Sequence, residues 1–147
     1  MSNLQYHAQD LRKGRYSEPN RLYLVTAVTL NRNPVFRDLR AARVLINTMR
    51  SEFLRNQVNT YAYVVMPDHF HWLLQLNEED LSQVVGRVKR LTAQQIGRAI
   101  WQDGFHDRAV RQEDDLKSMA RYVIANPLRA GLAESIGDYP HWDAVWV

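Results

Sequence analysis

The sequence predicts an α+β fold of the ferredoxin-like (RRM-like) type, an antiparallel sheet with helices on one face and a further helix near the C-terminus. Three observations predict it. Runs rich in β-branched and aromatic residues occur at Leu22–Leu30, Thr60–Met66 and His69–Leu76. Apolar residues recur with helical period from Asp38 to Arg55 and from Asp80 to Ile100. The resulting order is β-α-β-β-α-β with one more helix, a strand–helix–strand unit joined through a hairpin to a second helix and strand.

The first twenty residues, with Arg12, Lys13 and Arg15 ahead of Ser17, Glu18, Pro19 and Asn20, read as a polar, basic N-terminal arm on a single domain spanning 1–147. "LYLVTAVTL", Leu22 to Leu30, is the first strand, and Pro34 marks a turn after it. Leu39, Ala42, Leu45, Ile46, Met49 and Phe53 form the stripe of the first helix, with Asp38 as its N-cap. Thr60–Met66 and His69–Leu76 are strands joined by a tight turn at Pro67 and Asp68. Leu81, Val84, Val88, Leu91 and Ile96 mark the buried side of the second helix. "WQDGFHDRAVR", Trp101 to Arg111, holds a glycine turn and a fourth strand, and Glu113 to Asn126 is a helix stopped by Pro127. The sheet face away from the first two helices is expected to be open to a ligand. Trp142 and Trp146 read as packing residues that seal an edge.

Composition narrows the function classes. The 147 residues include no cysteine, which excludes disulfides and thiolate metal sites. Hydrophobic residues at 46% and charged residues at 24% are ordinary for a folded domain. No stretch resembles a signal peptide or a membrane span, so a cytoplasmic protein is expected. The net charge of +3 and a pI near 9.4 lean towards a polyanionic partner.

Two segments carry chemistry. In "VVMPDHFHWLLQL", alternation puts His69 and His71 on one face of a strand and Phe70 and Trp72 on the other. Two imidazoles so placed can reach one cation, or they can be satisfied by hydrogen bonds alone. A metal centre needs a further ligand. In "ARYVIANPLRAGL", Tyr122 and Asn126 lie one helical turn apart, on the flank of an apolar stripe through Leu116, Ala120 and Val123 with Met119 at its edge. Tyr122 reads either as a core-edge residue or as a reactive hydroxyl. Asn126 reads either as a C-cap before Pro127 or as an amide-oxygen ligand.

"MPDHFHWLL", "WQDGFHDRAVR" and "RYVIANPLRAGL", in that order, resemble the REP-associated branch of the single-tyrosine His-hydrophobic-His (HUH) transposases, which act on single-stranded DNA. The likeness covers roughly residues 10–140. It implies that Tyr122 is the catalytic nucleophile and that His69, His71 and Asn126 are metal ligands, where many insertion-sequence relatives carry glutamine at the last position. It implies Mg²⁺ or Mn²⁺ as cofactor and hairpin single-stranded DNA as partner. The activity implied is a DNA strand transferase that cleaves and rejoins REP-like palindromes through a 5′-phosphotyrosine; a non-catalytic nucleic-acid-binding module of the same fold is the alternative. A monomer or homodimer associated with the nucleoid is expected, with no membrane contact.

Tyrosine suits that chemistry. A phenol, with an ordinary pKa near ~10, is a far better leaving group than an alcohol, so a 3′-hydroxyl can reverse the step without a nucleotide cofactor. Positive charge near the phenol would help; the cation is one source and Arg108, Arg121 or Arg129 could be others, with no choice among them fixed by sequence. For DNA contacts, Arg87, Arg90, Gln94 and Arg98 are spaced three, four and four apart, and no acidic residue occurs from Val84 to Trp101. Such a stripe fits phosphates or is simply a solvated helix face. Arg12, Lys13 and Arg15 are the second expected DNA grip. His106 and Asp107 read either as substrate contacts or as a local hydrogen-bonded pair.

Overall fold

The computed structural model of the chain describes residues 20–111, 113–131 and 141–144. Its elements in order are β1 (Leu22–Val28), α1 (Leu39–Leu54), β2 (Val58–Met66), β3 (His69–Leu76), α2 (Leu81–Ile96), β4 (His106–Val110), α3 (Glu113–Ile124), the single-turn α4 (Asn126–Arg129) and β5 (Trp142–Ala144). The strands form one sheet in the order β4-β1-β3-β2-β5, antiparallel throughout. The first four strands have the expected ferredoxin-like arrangement, and β5 extends it beside β2. Among the described residues no helix is long and apolar enough to cross a membrane. The basic arm with Arg12, Lys13 and Arg15, together with Trp146, lies outside the described residues.

Strand parity builds the core. On one face Val25 lies opposite Trp72 and Ala27 opposite Phe70, all four fully buried beneath α1 and α2. The indole N–H of Trp72 donates to Thr60 Oγ1 at 3.0 Å, so this large ring is buried without an orphaned donor. On the other face Ala62, Val64, Met66, Leu73 and Val110 form a second cluster with Leu116, Ala120 and Val123 of α3. The face expected to be open is therefore partly roofed. The three-residue stripe read from the helix period is what packs against it.

Local signals set the helix ends. The Asp38 carboxylate accepts from the N–H of Arg40 at 2.8 Å. Asp80 and Gln83 form a reciprocal capping box at the start of α2. Gly97, with φ of 96°, stops α2 four residues before the expected end at Ile100. Ile100 is buried nonetheless, which prolongs the apolar pattern past the helix. Leu39 and Phe53, expected on the packed stripe of α1, are about half exposed.

Candidate active site

The turn at Pro67 and Asp68 starts β3 so that His69 and His71 emerge on the α3 side of the sheet. Their ring centroids are 4.9 Å apart and nearly perpendicular. Each Nδ1 atom has a partner. His69 Nδ1 lies 2.7 Å from Asp68 Oδ1, and His71 Nδ1 lies 2.7 Å from Thr26 Oγ1. Burial would raise the Asp68 carboxyl, but hydrogen bonds from His69 and Arg32 outweigh it and hold the group below the ordinary carboxylate range. An ionised carboxylate only accepts, so His69 donates its Nδ1 proton to Asp68, which leaves Nε2 as the ring nitrogen outside that pair. His71 is oriented through the same ring atom, by the Thr26 hydroxyl. This is the arrangement that orients metal-binding imidazoles.

α3 brings the tyrosine to this pair. The Tyr122 ring lies edge-on to His71 with centroids 6.2 Å apart, and Tyr122 is 51% exposed. The seated stripe of Leu116, Ala120 and Val123 explains the placement. It anchors one side of α3 and leaves Tyr122 on the flank, over the histidines and open to solvent.

Asn126 follows α3 and begins α4, with Pro127 in its first turn. Its amide nitrogen donates to the carbonyls of Tyr122 at 3.1 Å and Val123 at 3.2 Å. These bonds satisfy carbonyls at the end of α3, as the capping reading expected. They also leave the amide oxygen as the atom with ligand capacity, so capping and metal binding are compatible in one residue. Among the described residues no cluster of three His, Cys, Asp or Glu side chains could hold a metal. An amide oxygen such as that of Asn126 suits a hard divalent cation.

The other expected site residues divide. Arg87 is withdrawn from the basic stripe. Its guanidinium binds the fully buried Glu52 carboxylate at 2.7 Å and Glu79 at 2.5 Å, and these acids push its pKa further up. Arg90 and Gln94 are exposed on α2, whereas Arg98 lies beyond the helix end and is exposed there. Arg121 is exposed on α3. Arg108 is exposed on β4 and shares the site face through its pairing with Leu24. The side chain of Arg129 lies outside the described residues.

Sequence reasoning missed two site residues, Thr26 and Asp68. Thr26 is 45 residues from His71, and only the register of β1 on β3 brings them together. Asp68 adjoins His69 and could have been read as its partner. The same register places His106 opposite Thr26, on the face that carries His71. Burial lowers the His106 pKa, and Asp107 offsets part of that effect.

The family model of IS200-like transposases matches residues 19–126. The chain belongs to this family. As an IS200-like transposase it is 30% identical over 82 residues to the REP-associated tyrosine transposase of Escherichia coli K12, a match covering 54% of this chain and 50% of that protein. A Haemophilus influenzae protein provisionally given the same name is 28% identical over 118 residues, covering 65% of this chain and 66% of that protein. The chain thus spans about half to two thirds of these relatives. A solved REP-associated tyrosine transposase bound to a REP hairpin superposes with a TM-score of 0.74 at 24% identity, covering 87% of this chain and 79% of that one. That likeness shows the fold. The resemblance to the REP-associated branch is borne out by these relatives.

Proposed function

We propose that this transposase is a metal-dependent DNA strand transferase that cleaves and rejoins single strands at REP-like hairpins through a phosphotyrosine at Tyr122. Family membership supports the reaction class, and the relative solved on a REP hairpin supports the substrate class. The observation that carries the residue assignment is the edge-on approach of Tyr122 to His71.

His69 and His71 through Nε2, and Asn126 through its amide oxygen, would hold the divalent cation, Mg²⁺ or Mn²⁺. When bound, the ion supplies a Lewis acid for a non-bridging oxygen of the scissile phosphate. The chain's own residues do the rest. Thr26 and Asp68 fix the imidazoles. The half-exposed Tyr122 phenol loses its proton and attacks phosphorus, forming a P–O bond as the bond to the 3′ oxygen breaks. The leaving oxygen takes up a proton to become a free 3′-hydroxyl, while the 5′ side stays on the tyrosine. Attack by a 3′-hydroxyl on that link reverses the step and rejoins the strand. Arg90 and Arg98, both exposed, together with Arg12, Lys13 and Arg15, are the proposed phosphate contacts along the DNA.

Incubation with hairpin single-stranded DNA and Mn²⁺, followed by denaturing gels, tests the reading. Wild-type protein is expected to form a covalent adduct and the Tyr122→Phe protein none. Retention of the adduct in that variant rejects the nucleophile. DNA binding by the wild type with no adduct under any divalent ion would identify a non-catalytic binding module instead.

A further inference from the structure

Beside the histidines, the backbone adopts a conformation its residues do not favour. In the turn after β1, Asn31 and Arg32 have φ of 56° and 55°, and the N–H of Asn33 donates to the carbonyl of Leu30 at 3.1 Å. Two successive central residues with positive φ are what a type I′ turn requires, and glycine meets that requirement at least cost. Asparagine tolerates the left-handed region; arginine does so poorly.

The surroundings hold the turn in place. Fully buried Thr29 donates its N–H to the carbonyl of Asp68 at 2.9 Å, and its hydroxyl contacts the carbonyls of Asn33 at 2.7 Å and Asp68 at 3.1 Å. The turn is therefore fastened to the residue that precedes His69. Arg32 emerges from it with Nη1 3.2 Å from Asp68 Oδ2, while the other oxygen of that carboxylate holds His69. The Arg32 side chain remains 60% exposed. An exposed ion pair of this kind contributes little to stability, less than the left-handed conformation costs a residue with a Cβ. Support for Asp68 alone does not account for arginine here. Its position, charge and exposed fork do fit an anion arriving at the histidines from solvent.

We propose that Arg32 is a substrate-binding residue that holds a backbone phosphate of the single strand, next to the phosphate presented to Tyr122. The identity of the polyanion rests on the function proposed above. Asp68 then links two tasks, orienting His69 through one oxygen and aiming the guanidinium through the other.

Equilibrium binding separates this role from a structural one. In a Tyr122→Phe background, which removes the nucleophile, Arg32→Gly and Arg32→Lys are compared by fluorescence anisotropy. The probe is a hairpin oligonucleotide with single-stranded flanks, titrated over a range of salt concentrations. Loss of one phosphate contact should weaken binding several-fold for Arg32→Gly at low salt. It should also reduce the slope of log K against log salt by about 0.7, the single-strand value per phosphate. Arg32→Lys should keep the slope. Because glycine accepts the backbone angle, Arg32→Gly should melt at the same temperature as its parent or higher. An unchanged slope, or weaker binding accompanied by a lower melting temperature, overturns the proposal. Adduct formation by the wild type, measured separately, reports on Tyr122 chemistry, so either reading can fail without the other.

Discussion

The two faces of the sheet divide the work of one strand. On the α1 and α2 side, Phe70, Trp72 and Leu74 are fully buried, and even the polar residues there are locked, with Glu52 bound by Arg87. On the α3 side the same strand presents His69 and His71, and the roof over them is a helix that leaves Tyr122 half exposed. Adjacent residues thus have opposite settings, one set closed in the core and the other held by Thr26 and Asp68 beside Tyr122. Leu73 and Val123 seal only as much of the second face as α3 needs to seat.

Substitution of neighbours in β3 is the strongest way to break this division. Trp72→Ala empties a closed core site and should cost about 3–5 kcal/mol in urea unfolding. His71 is buried too, so His71→Ala should cost about 1–3 kcal/mol, the penalty for leaving a part-buried partner such as Thr26 unsatisfied, while removing the DNA adduct from gels. A His71 variant that unfolds as readily as the Trp72 variant would erase the distinction between the faces.

The closed face also contains a charge, and its removal is the next largest effect. Arg87→Ala strands the buried Glu52 carboxylate and should destabilise the protein by about 3 kcal/mol or more. Replacing Glu52 with Leu in the same protein should recover most of that loss. DNA affinity at matched folded fraction should stay unchanged, because Arg87 is committed to Glu52 and Glu79.

On the open face, Thr26→Val removes the partner of His71 Nδ1 without emptying the site. Metal affinity measured by calorimetry should fall roughly 10–100-fold, the range for loss of a group that orients a metal-binding imidazole. Melting temperature without metal should change by only a few degrees. Unaltered metal affinity would mean that Thr26 has no part in positioning the ring.

The smallest effect sharpens the edge of the closed face, where α2 meets the loop before β4. Burial pushes the Lys89 ammonium down to about 8, with Asp103 offsetting part of the shift. Its Nζ donates to the carbonyls of Gln102 at 2.9 Å and Gly104 at 2.7 Å. A lysine whose folded pKa is depressed binds fewer protons in the folded state than when unfolded, between pH about 8 and 10.4. Its contribution to stability is therefore full above that window, declines as pH falls through it and is lost below about 8. Wild type should gain on a Lys89→Met variant as pH rises from 8 to 10 in thermal melts. A flat difference would place the titration elsewhere.

Much of this division was legible in the sequence. The bounds of β3 follow from Pro67 and strict alternation, which also separated His69 and His71 from Phe70 and Trp72. The period of α3 revealed both its buried stripe and the flank that carries Tyr122. What escaped was non-local or locally ambiguous. Arg87 fits a basic stripe by spacing, and nothing nearby in the chain reveals that Glu52, 35 residues earlier, claims it. Ile100 continues the apolar pattern of α2 although Gly97 has already turned the chain. Thr26 joins the site only through strand register. β5, three residues long, is too short to show a period.

We propose that α3 and the turn into α4 set Tyr122 and Asn126 beside the two histidines, where one divalent cation would meet all of them. Titration of Mn²⁺ into isotopically labelled protein, followed by nuclear magnetic resonance, tests it most directly. Paramagnetic broadening is expected first and together at the His69 and His71 imidazoles, the Asn126 side-chain amide and the Tyr122 ring. Broadening of the imidazoles with sharp Asn126 and Tyr122 signals would contradict it.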